Sequence, residues 1–157
     1  MNGLAATVRS KLASFCLVDG VDSIDKGNCG ASLADAPHPR VIADLDKTGA
    51  PLGRARTKCD FLFFADPNFV TPIEIKDHGS PDIAKATRQL QAGADAAGEL
   101  APRGSAVRFR PVLVCRDMRR DKQNELRRAT VRFRKQRPEI VRQVICGNPL
   151  TEALSHS

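Results

Sequence analysis

The stretch KCDFLFFADPNFVTPIEIKDH (residues 58–78) combines two apolar strands with side chains suited to acid–base or metal chemistry. In a β-strand, residues two apart point to the same face, so Glu74 and Lys76 should project together while the isoleucines beside them fill the other face. If the two strands pair antiparallel, Asp60 comes to lie near Glu74. Burying these three charges would cost several kcal/mol unless they pair with one another or bind a metal.

Two carboxylates on neighbouring strands would bind a hard cation such as Mg²⁺ or Mn²⁺, which prefers carboxylate, carbonyl and water oxygens. Lys76 could orient or help deprotonate a metal-bound water, or neutralise charge that develops on a phosphate. Asp66 is the competing first carboxylate, although ADPN is a strong turn sequence. The alternative to a metal site is a surface hairpin whose cross-strand ion pair is worth at most about 1 kcal/mol.

The elements predicted to position these residues are a first helix, a loop and a group of strands. Residues Leu4–Phe15 have apolar side chains at helical spacing, which predicts a first helix. The segment VDGVDSIDKGNCGASLADAPHP is typical of a loop, with room for one short strand. RVIADLD, CDFLFF and TPIEIKD then predict three consecutive strands, that is, a meander, with KTGAPLGR as a turn after the first.

The second half of the chain predicts a helix followed by a core strand. PDIAKATRQLQAGADAAGEL is Ala-rich and begins with good helix-start residues, AVRFRPVLVCR is typical of a buried strand, and DKQNELRRA of a short helix. Such an order implies a crossover after which the new strand pairs parallel with an earlier one. TVRFRKQR alternates as a half-buried strand does, and EIVRQVICGNPL fits either a strand or a helix.

Asp60, followed by Glu74-Ile75-Lys76, resembles the D…(D/E)XK signature of the PD-(D/E)XK nuclease superfamily. The resemblance covers about Val41–Arg116, and it includes Gln89, which matches a helix glutamine that reaches back toward the site in several such families. It implies a restriction-endonuclease-like α/β fold, a central mixed sheet flanked by helices, in a single domain over residues 1–157. It also implies a nuclease that hydrolyses phosphodiester bonds with Mg²⁺ or Mn²⁺.

Carried over residue by residue, the resemblance makes Asp60 and Glu74 the metal ligands, with the Ile75 backbone carbonyl as a third. Lys76 would be the catalytic lysine and Gln89 an auxiliary catalytic residue. Many members carry a glutamate on the first helix, whereas the predicted first helix here has no acid. A second function therefore stays open: a catalytically inactive nuclease-fold protein that binds nucleic acid or a protein partner, as a complex subunit or an immunity or antitoxin protein.

Charge is distributed unevenly along the chain. Residues 1–102 contain 11 Lys and Arg against 13 Asp and Glu, a net charge of −2, while residues 103–157 contain 14 against 5, a net charge of +9. The run RRATVRFRKQR has no interspersed acid, which favours a polyanionic partner, most of all DNA, bound through its phosphates. A homodimer would supply the two sites that cleavage of both strands requires. Within a basic segment, 103–142, and on the long helix, the predicted nucleic-acid contacts are Lys85, Arg127, Arg128, Arg132, Arg134, Lys135 and Arg137.

The remaining composition limits the compartment and the cysteine chemistry. No stretch of about 18 apolar residues occurs, and Arg9 and Lys11 interrupt what would have to be the apolar core of a signal peptide. We therefore expect a cytoplasmic protein without a membrane partner. The cysteines are odd in number and far apart, which predicts buried reduced thiols and neither a disulfide nor a zinc framework; they are Cys16, Cys29, Cys59, Cys115 and Cys146.

Overall fold

The computed structural model of the protein describes residues 3–47, 58–104 and 106–155. The predicted turn KTGAPLGR lies, after its first residue, outside these ranges. A short 3₁₀ turn, Ser14–Cys16, follows the first helix. In chain order the elements are α1 (Leu4–Lys11), β1 (Ser23–Lys26), β2 (Cys29–Ser32), β3 (Arg40–Asp44), β4 (Phe61–Ala65), β5 (Phe69–Lys76), α2 (Ile83–Leu100), β6 (Arg108–Phe109), β7 (Val112–Cys115), α3 (Arg120–Arg127), β8 (Thr130–Val131), β9 (Glu139–Ile140), β10 (Arg142–Ile145) and α4 (Thr151–Leu154).

The main sheet is mixed, with the strand order β10-β7-β5-β4-β3 and β6 beside β5. Strands β3, β4 and β5 form the predicted antiparallel meander. Helix α2 then carries the chain back so that β7 pairs parallel with β5, and β10 pairs parallel with β7. The crossover prediction is confirmed, and the open choice for EIVRQVICGNPL is decided in favour of strand.

Each face of the sheet buries its own apolar cluster. One cluster joins α1, α2 and α3 to the sheet through side chains such as Val8, Leu90 and Leu126. The other lies beneath the β1–β2 hairpin and α4 and includes Ile24 and Leu154. The protein is therefore an α/β structure whose mixed sheet has helices against both faces. Among the described residues, no helix is long and apolar enough to cross a membrane.

Helix α2 is rich in small residues, which let it pack closely on the sheet. Its first turn is capped by Asp82, whose Oδ1 accepts a hydrogen bond from Lys85 N at 3.0 Å. At Gly93 an added Cβ would collide with the thiol of Cys59, so only glycine permits this approach. The close packing fixes the height of the helix above the strands that carry the candidate site.

Several segments differ from the sequence predictions. In TVRFRKQR only Thr130–Val131 forms a strand, because the backbone turns at Arg134, with φ of +53°. Helix α1 ends at Lys11, and Phe15, predicted to continue its apolar face, is 52 % exposed. The segment predicted as a loop folds into an antiparallel hairpin, β1–β2, with Lys26 paired to Cys29 at its turn. Its alternation of apolar and polar residues is too short to separate a strand from a loop by pattern alone.

The prediction that all cysteines are reduced is wrong for one pair. Cys29 at the start of β2 and Cys146 after β10 form a disulfide that spans 117 positions of sequence. The fold brings the hairpin onto the sheet edge at β10, a proximity that cysteine spacing cannot reveal. The other three cysteines are buried free thiols, as predicted. Disulfides persist in oxidising compartments, so this pair does not favour the expected cytoplasmic location.

The disulfide predicts a loss of stability when it is removed. In the double variant Cys29→Ser/Cys146→Ser, the free energy of unfolding should fall by roughly 2–5 kcal/mol, because a cross-link over so long a loop restricts the unfolded chain. Urea unfolding with and without reductant measures this, and reductant should destabilise the wild type but not the double variant. Alkylation of the denatured, unreduced protein should modify three thiols; modification of five would contradict the pairing.

Candidate active site

The pairing of β4 with β5 brings Asp60 beside the segment that contains Glu74. Phe61, the first residue of β4, lies opposite Ile73, and the amide of Asp60, one residue earlier, donates to the Ile73 carbonyl at 3.1 Å. The side chain of Asp60, a residue that is 3 % exposed, then reaches across to β5, and its Oδ2 accepts a hydrogen bond from the Ile75 amide at 2.7 Å. The predicted convergence of these two strands is thus an observed feature of the structure.

Glu74 is completely buried on the face of the sheet that packs against α2. Lys76 Nζ forms an ion pair with Glu74 Oε2 at 2.9 Å, and among the described residues neither Glu74 oxygen has a further hydrogen-bond partner. Burial, reinforced by the negative charge of Asp60, raises the pKa of Glu74 to about 7, although Lys76 opposes the shift. Because its oxygens lack hydrogen-bond partners, the buried Glu74 carboxylate is stabilised when it binds a proton or a cation.

Lys76 connects the strand to the helix above it. Its side chain is 22 % exposed, and its Nζ donates to Gln89 Oε1 at 3.0 Å while facing Glu74. Gln89 stands on the α2 face that turns toward this end of the sheet, which is what the sequence predicted. Lys85, one turn earlier on α2, is exposed.

A second lysine, Lys26, enters the site and was not expected from the sequence. Its Nζ lies 2.8 Å from Asp60 Oδ1, with half of the side chain exposed. Desolvation lowers the pKa of Lys26, but the hydrogen bond to Asp60 and the charges of Asp60, Glu74 and Asp46 together outweigh it, so the pKa is raised. No local signal identifies Lys26, because it belongs to the hairpin in the segment predicted as a loop.

A third acid, Asp46, also lies next to Asp60. The amide of Leu45 donates to the Asp60 carbonyl at 3.0 Å, which extends the β3–β4 pairing to the site. Partial burial and repulsion from Asp60 raise the pKa of Asp46, while Lys26 opposes that rise. The meander predicted from sequence contains the signal for this neighbour, because the end of one antiparallel strand meets the start of the next.

The arrangement offers a divalent cation two carboxylates and one carbonyl. The amide and carbonyl of one residue in an extended strand point to the same edge, so the Ile75 carbonyl faces the side on which its amide meets Asp60. The unpartnered oxygens of buried Glu74 fit a cation well. Among residues 3–47, 58–104 and 106–155, no group of three His, Cys, Asp or Glu side chains is arranged to hold a metal. A bound ion would therefore complete its shell with Ile75 O and water.

Asp66, the competing first carboxylate, lies at the other end of β4. Its Oδ1 accepts from the amide of Ala5 at 2.9 Å, so it fixes the first turn of α1. A carboxylate in this role satisfies a free amide at a helix start. The structure thus separates Asp66 from the candidate site.

Most of the predicted nucleic-acid contacts lie on the surface. The chain of Arg132 is held by Gln91 of α2, which donates to the Arg132 carbonyl at 2.8 Å and accepts from its amide at 3.0 Å, while the arginine side chain faces solvent. The exposed members of the set are Lys85, Arg127, Arg128, Arg132, Lys135 and Arg137.

Arg134 departs from that prediction. Its guanidinium donates to the carbonyls of Gly98 and Ala101 at 2.6 Å and to that of Pro102 at 3.0 Å, and it stacks on Phe133. These are the free carbonyls at the C-terminal end of α2, where a cation is stabilising. Arg134 therefore serves the helix, and the expectation of a phosphate contact is corrected.

The raised pKa of Glu74 predicts a specific pH dependence of stability in EDTA. Because the folded pKa of about 7 lies above the ordinary glutamate pKa of 4.5, the folded state keeps a proton that the unfolded state releases between these two pH values. Stability conferred by the protonated form is present below about pH 4.5 and is lost as pH rises through 7. Relative to Glu74→Gln, the wild type should lose about 2–3 kcal/mol between pH 5 and pH 8, at about 1.4 kcal/mol per pKa unit.

Urea unfolding of both proteins at the two pH values measures this difference. Glu152→Gln, a change at an exposed glutamate, is the matched control and should show no such dependence. A wild-type–variant difference that does not change with pH would contradict the buried, proton-binding state of Glu74.

Comparisons of the chain with protein-family models, with curated proteins and with solved structures found no match. The chemistry of the site therefore rests on its own residues and on the short motif that they form. In the described structure this motif is a spatial cluster: Asp60, Glu74, Lys76 and Gln89 meet at one end of the sheet, under the first half of α2.

Proposed function

We propose that the protein is a metal-dependent nuclease of the PD-(D/E)XK type that hydrolyses phosphodiester bonds, with DNA as its substrate and Mg²⁺ or Mn²⁺ as cofactor. The observation that carries the proposal is the fully buried Glu74, whose two oxygens lack hydrogen-bond partners beside Asp60 and Lys76. A purely structural ion pair would be expected to satisfy those oxygens with hydrogen bonds, because buried polar atoms without such partners are costly.

The order of the elements supports a restriction-endonuclease-like fold. Helix α1 precedes the antiparallel meander β3–β4–β5, α2 crosses over it, and β7 joins β5 in parallel. In that arrangement the candidate ligands stand at the start of the middle strand and near the end of the third, as the resemblance implies. The β1–β2 hairpin and α4 cover the second face of the sheet.

Two carboxylates would hold the cation, and a lysine would stabilise the negative charge that develops on the phosphate. Asp60 is fixed by Ile75 N, and Glu74 is fixed by the strand and by α2, so both carboxylates are preorganised. A bound Mg²⁺ would act as a Lewis acid and lower the pKa of its water. Lys76, beside Glu74 and oriented by Gln89, would place positive charge where the phosphate becomes more negative.

Exposed basic side chains would bind the phosphate backbone of the nucleic-acid substrate. Helix α3 packs against α2, and the pKa of Asp82 at the start of α2 is lowered by its backbone hydrogen bond from Lys85 and, to a lesser extent, by the positive charges of Arg88, Lys122 and Lys85. Basic side chains therefore gather around the end of α2 that lies above the site. Phosphate contacts of this kind position a strand without reading its sequence.

One observation favours the second candidate, an inactive nuclease-fold protein that binds nucleic acid or a protein partner. Lys26 already neutralises Asp60 at 2.8 Å, and α1 has no acid, so the site can be balanced without a metal. This candidate predicts that divalent cations leave stability unchanged. The nuclease predicts stabilisation by any ion that binds only the folded state.

Lys76→Ala should abolish most cleavage without unfolding the protein. Removing a positive charge aimed at the transition state typically costs on the order of 10²–10³-fold in rate. The assay uses supercoiled plasmid, linear duplex, single-stranded DNA and RNA with Mg²⁺ or Mn²⁺, and initial rates are compared. Lys11→Ala, at an exposed lysine whose Nζ donates to the Leu100 carbonyl at the far end of α2, is the control and should cleave like wild type.

Thermal unfolding with and without Mn²⁺ separates the two candidates. The wild type should gain melting temperature with Mn²⁺, and Asp60→Asn should lose that gain. If Lys76→Ala and wild type cleave all substrates equally, the assigned site is wrong. If nothing is cleaved and Mn²⁺ has no effect on stability, the nuclease proposal fails and the inactive candidate stands.

The exposed basic residues predict a measurable salt effect on DNA affinity. The triple variant Arg127→Ala/Arg128→Ala/Arg132→Ala should bind DNA more weakly, and its slope of log K against log[salt] should fall by about 0.9 per lost phosphate contact. Arg134→Ala should leave that slope unchanged and instead lower the free energy of unfolding, because the arginine caps α2. An unchanged slope in the triple variant would place the nucleic-acid surface elsewhere.

A further inference from the structure

Lys26 is held at the site by more than its own side chain. It is the last residue of β1 and pairs with Cys29 across the hairpin turn, and Cys29 is bonded to Cys146 beyond β10. The hairpin carrying Lys26 is therefore tied covalently to the far edge of the main sheet. The strand pairing and the disulfide together determine the position of Lys26.

The turn of the hairpin is also clamped onto the end of β5. Asp77, which follows that strand, accepts a hydrogen bond from Asn28 N through its Oδ1 at 2.9 Å. At Gly27, with φ of +61°, an added Cβ would collide with the same carboxylate, so glycine allows the turn to seat there. Together with the disulfide, this contact keeps Lys26 over Asp60.

At Asp60 the lysine occupies space that a divalent cation would need. Lys26 Nζ lies against Asp60 Oδ1, while Oδ2 is engaged by the Ile75 amide. A cation shared by Asp60 and Glu74 would lie within a few ångströms of Nζ, and two like charges at that distance repel strongly where water is largely excluded. Because half of the lysine side chain is exposed, it can swing into solvent while the backbone stays in place.

We propose that Lys26 is a built-in competitor for the divalent cation at Asp60 and sets the metal affinity of the site. The inference rests on the proposed metal site and adds a residue that the motif does not contain. In the metal-free protein Lys26 is the counter-ion of Asp60; when the cation binds, the ammonium yields that place and turns outward. Competition from Lys26 thereby raises the divalent-ion concentration at which the site is half occupied.

Isothermal titration of EDTA-stripped protein with Mn²⁺ tests the proposal without relying on activity. Lys26→Met should bind Mn²⁺ about tenfold or more tightly than wild type, since the competing charge is gone. Lys26→Gln, which keeps a hydrogen-bond donor for Asp60, should show the same direction and guards against misfolding of the methionine variant. Lys26→Arg should stay close to wild type, and Lys11→Met, the same change at a lysine that contacts the C-terminal end of α2, should have no effect.

Equal or weaker Mn²⁺ binding by folded Lys26→Met or Lys26→Gln would overturn the inference, and so would the absence of Mn²⁺ binding in all variants. DNA cleavage measured in parallel keeps the two proposals distinct. Cleavage by wild type together with unchanged Mn²⁺ affinity in the Lys26 variants would reject the competitor and retain the nuclease. A gain in Mn²⁺ affinity without cleavage by any protein would reject the nuclease and retain the competitor.

Discussion

The hydrogen bond from the Ile75 amide to Asp60 Oδ2 is the contact on which the arrangement of the site depends. It joins the side chain that opens β4 to the backbone of β5, beyond the point where the two strands stop pairing through their main chains. Asp60 is thereby fixed beside Glu74, and a one-residue slip in the pairing would turn one of the two carboxylates to the opposite face. The register of a single strand pair thus decides whether the chain has a site at all.

Around that contact, two buried carboxylates each form an ion pair with a lysine. Asp60 is neutralised by Lys26, and Glu74 faces Lys76, whose other contact is Gln89. Both Glu74 oxygens are buried without a hydrogen-bond partner, and burial together with the negative charge of Asp60 raises the pKa of this carboxyl to about 7. Such a group is costly to the fold, and functional sites are where proteins tolerate that cost.

Several residues outside the site position the two elements that contribute to it, α2 and the β1–β2 hairpin. Gly93 lets α2 approach the sheet near Cys59, so that Gln89 can reach Lys76. Arg134 caps the opposite end of the same helix through three carbonyls. Asp77 and the Cys29–Cys146 disulfide hold the hairpin from which Lys26 extends. Helix α2 is therefore held in place on one face of the sheet, and the β1–β2 hairpin on the other.

Local pattern in the sequence determined the meander, the long helix, the crossover to a parallel strand and the shared face of Glu74 and Lys76, because strand and helix periodicities are properties of neighbouring residues. It also pointed to Asp60 and Gln89 through a short motif. Only the tertiary structure decided that Lys26 meets Asp60, that Cys29 meets Cys146 and that Arg134 turns inward to α2. These contacts join residues 34, 117 and 33 positions apart, and no local spacing encodes which distant segments come together when the two faces of the sheet are covered.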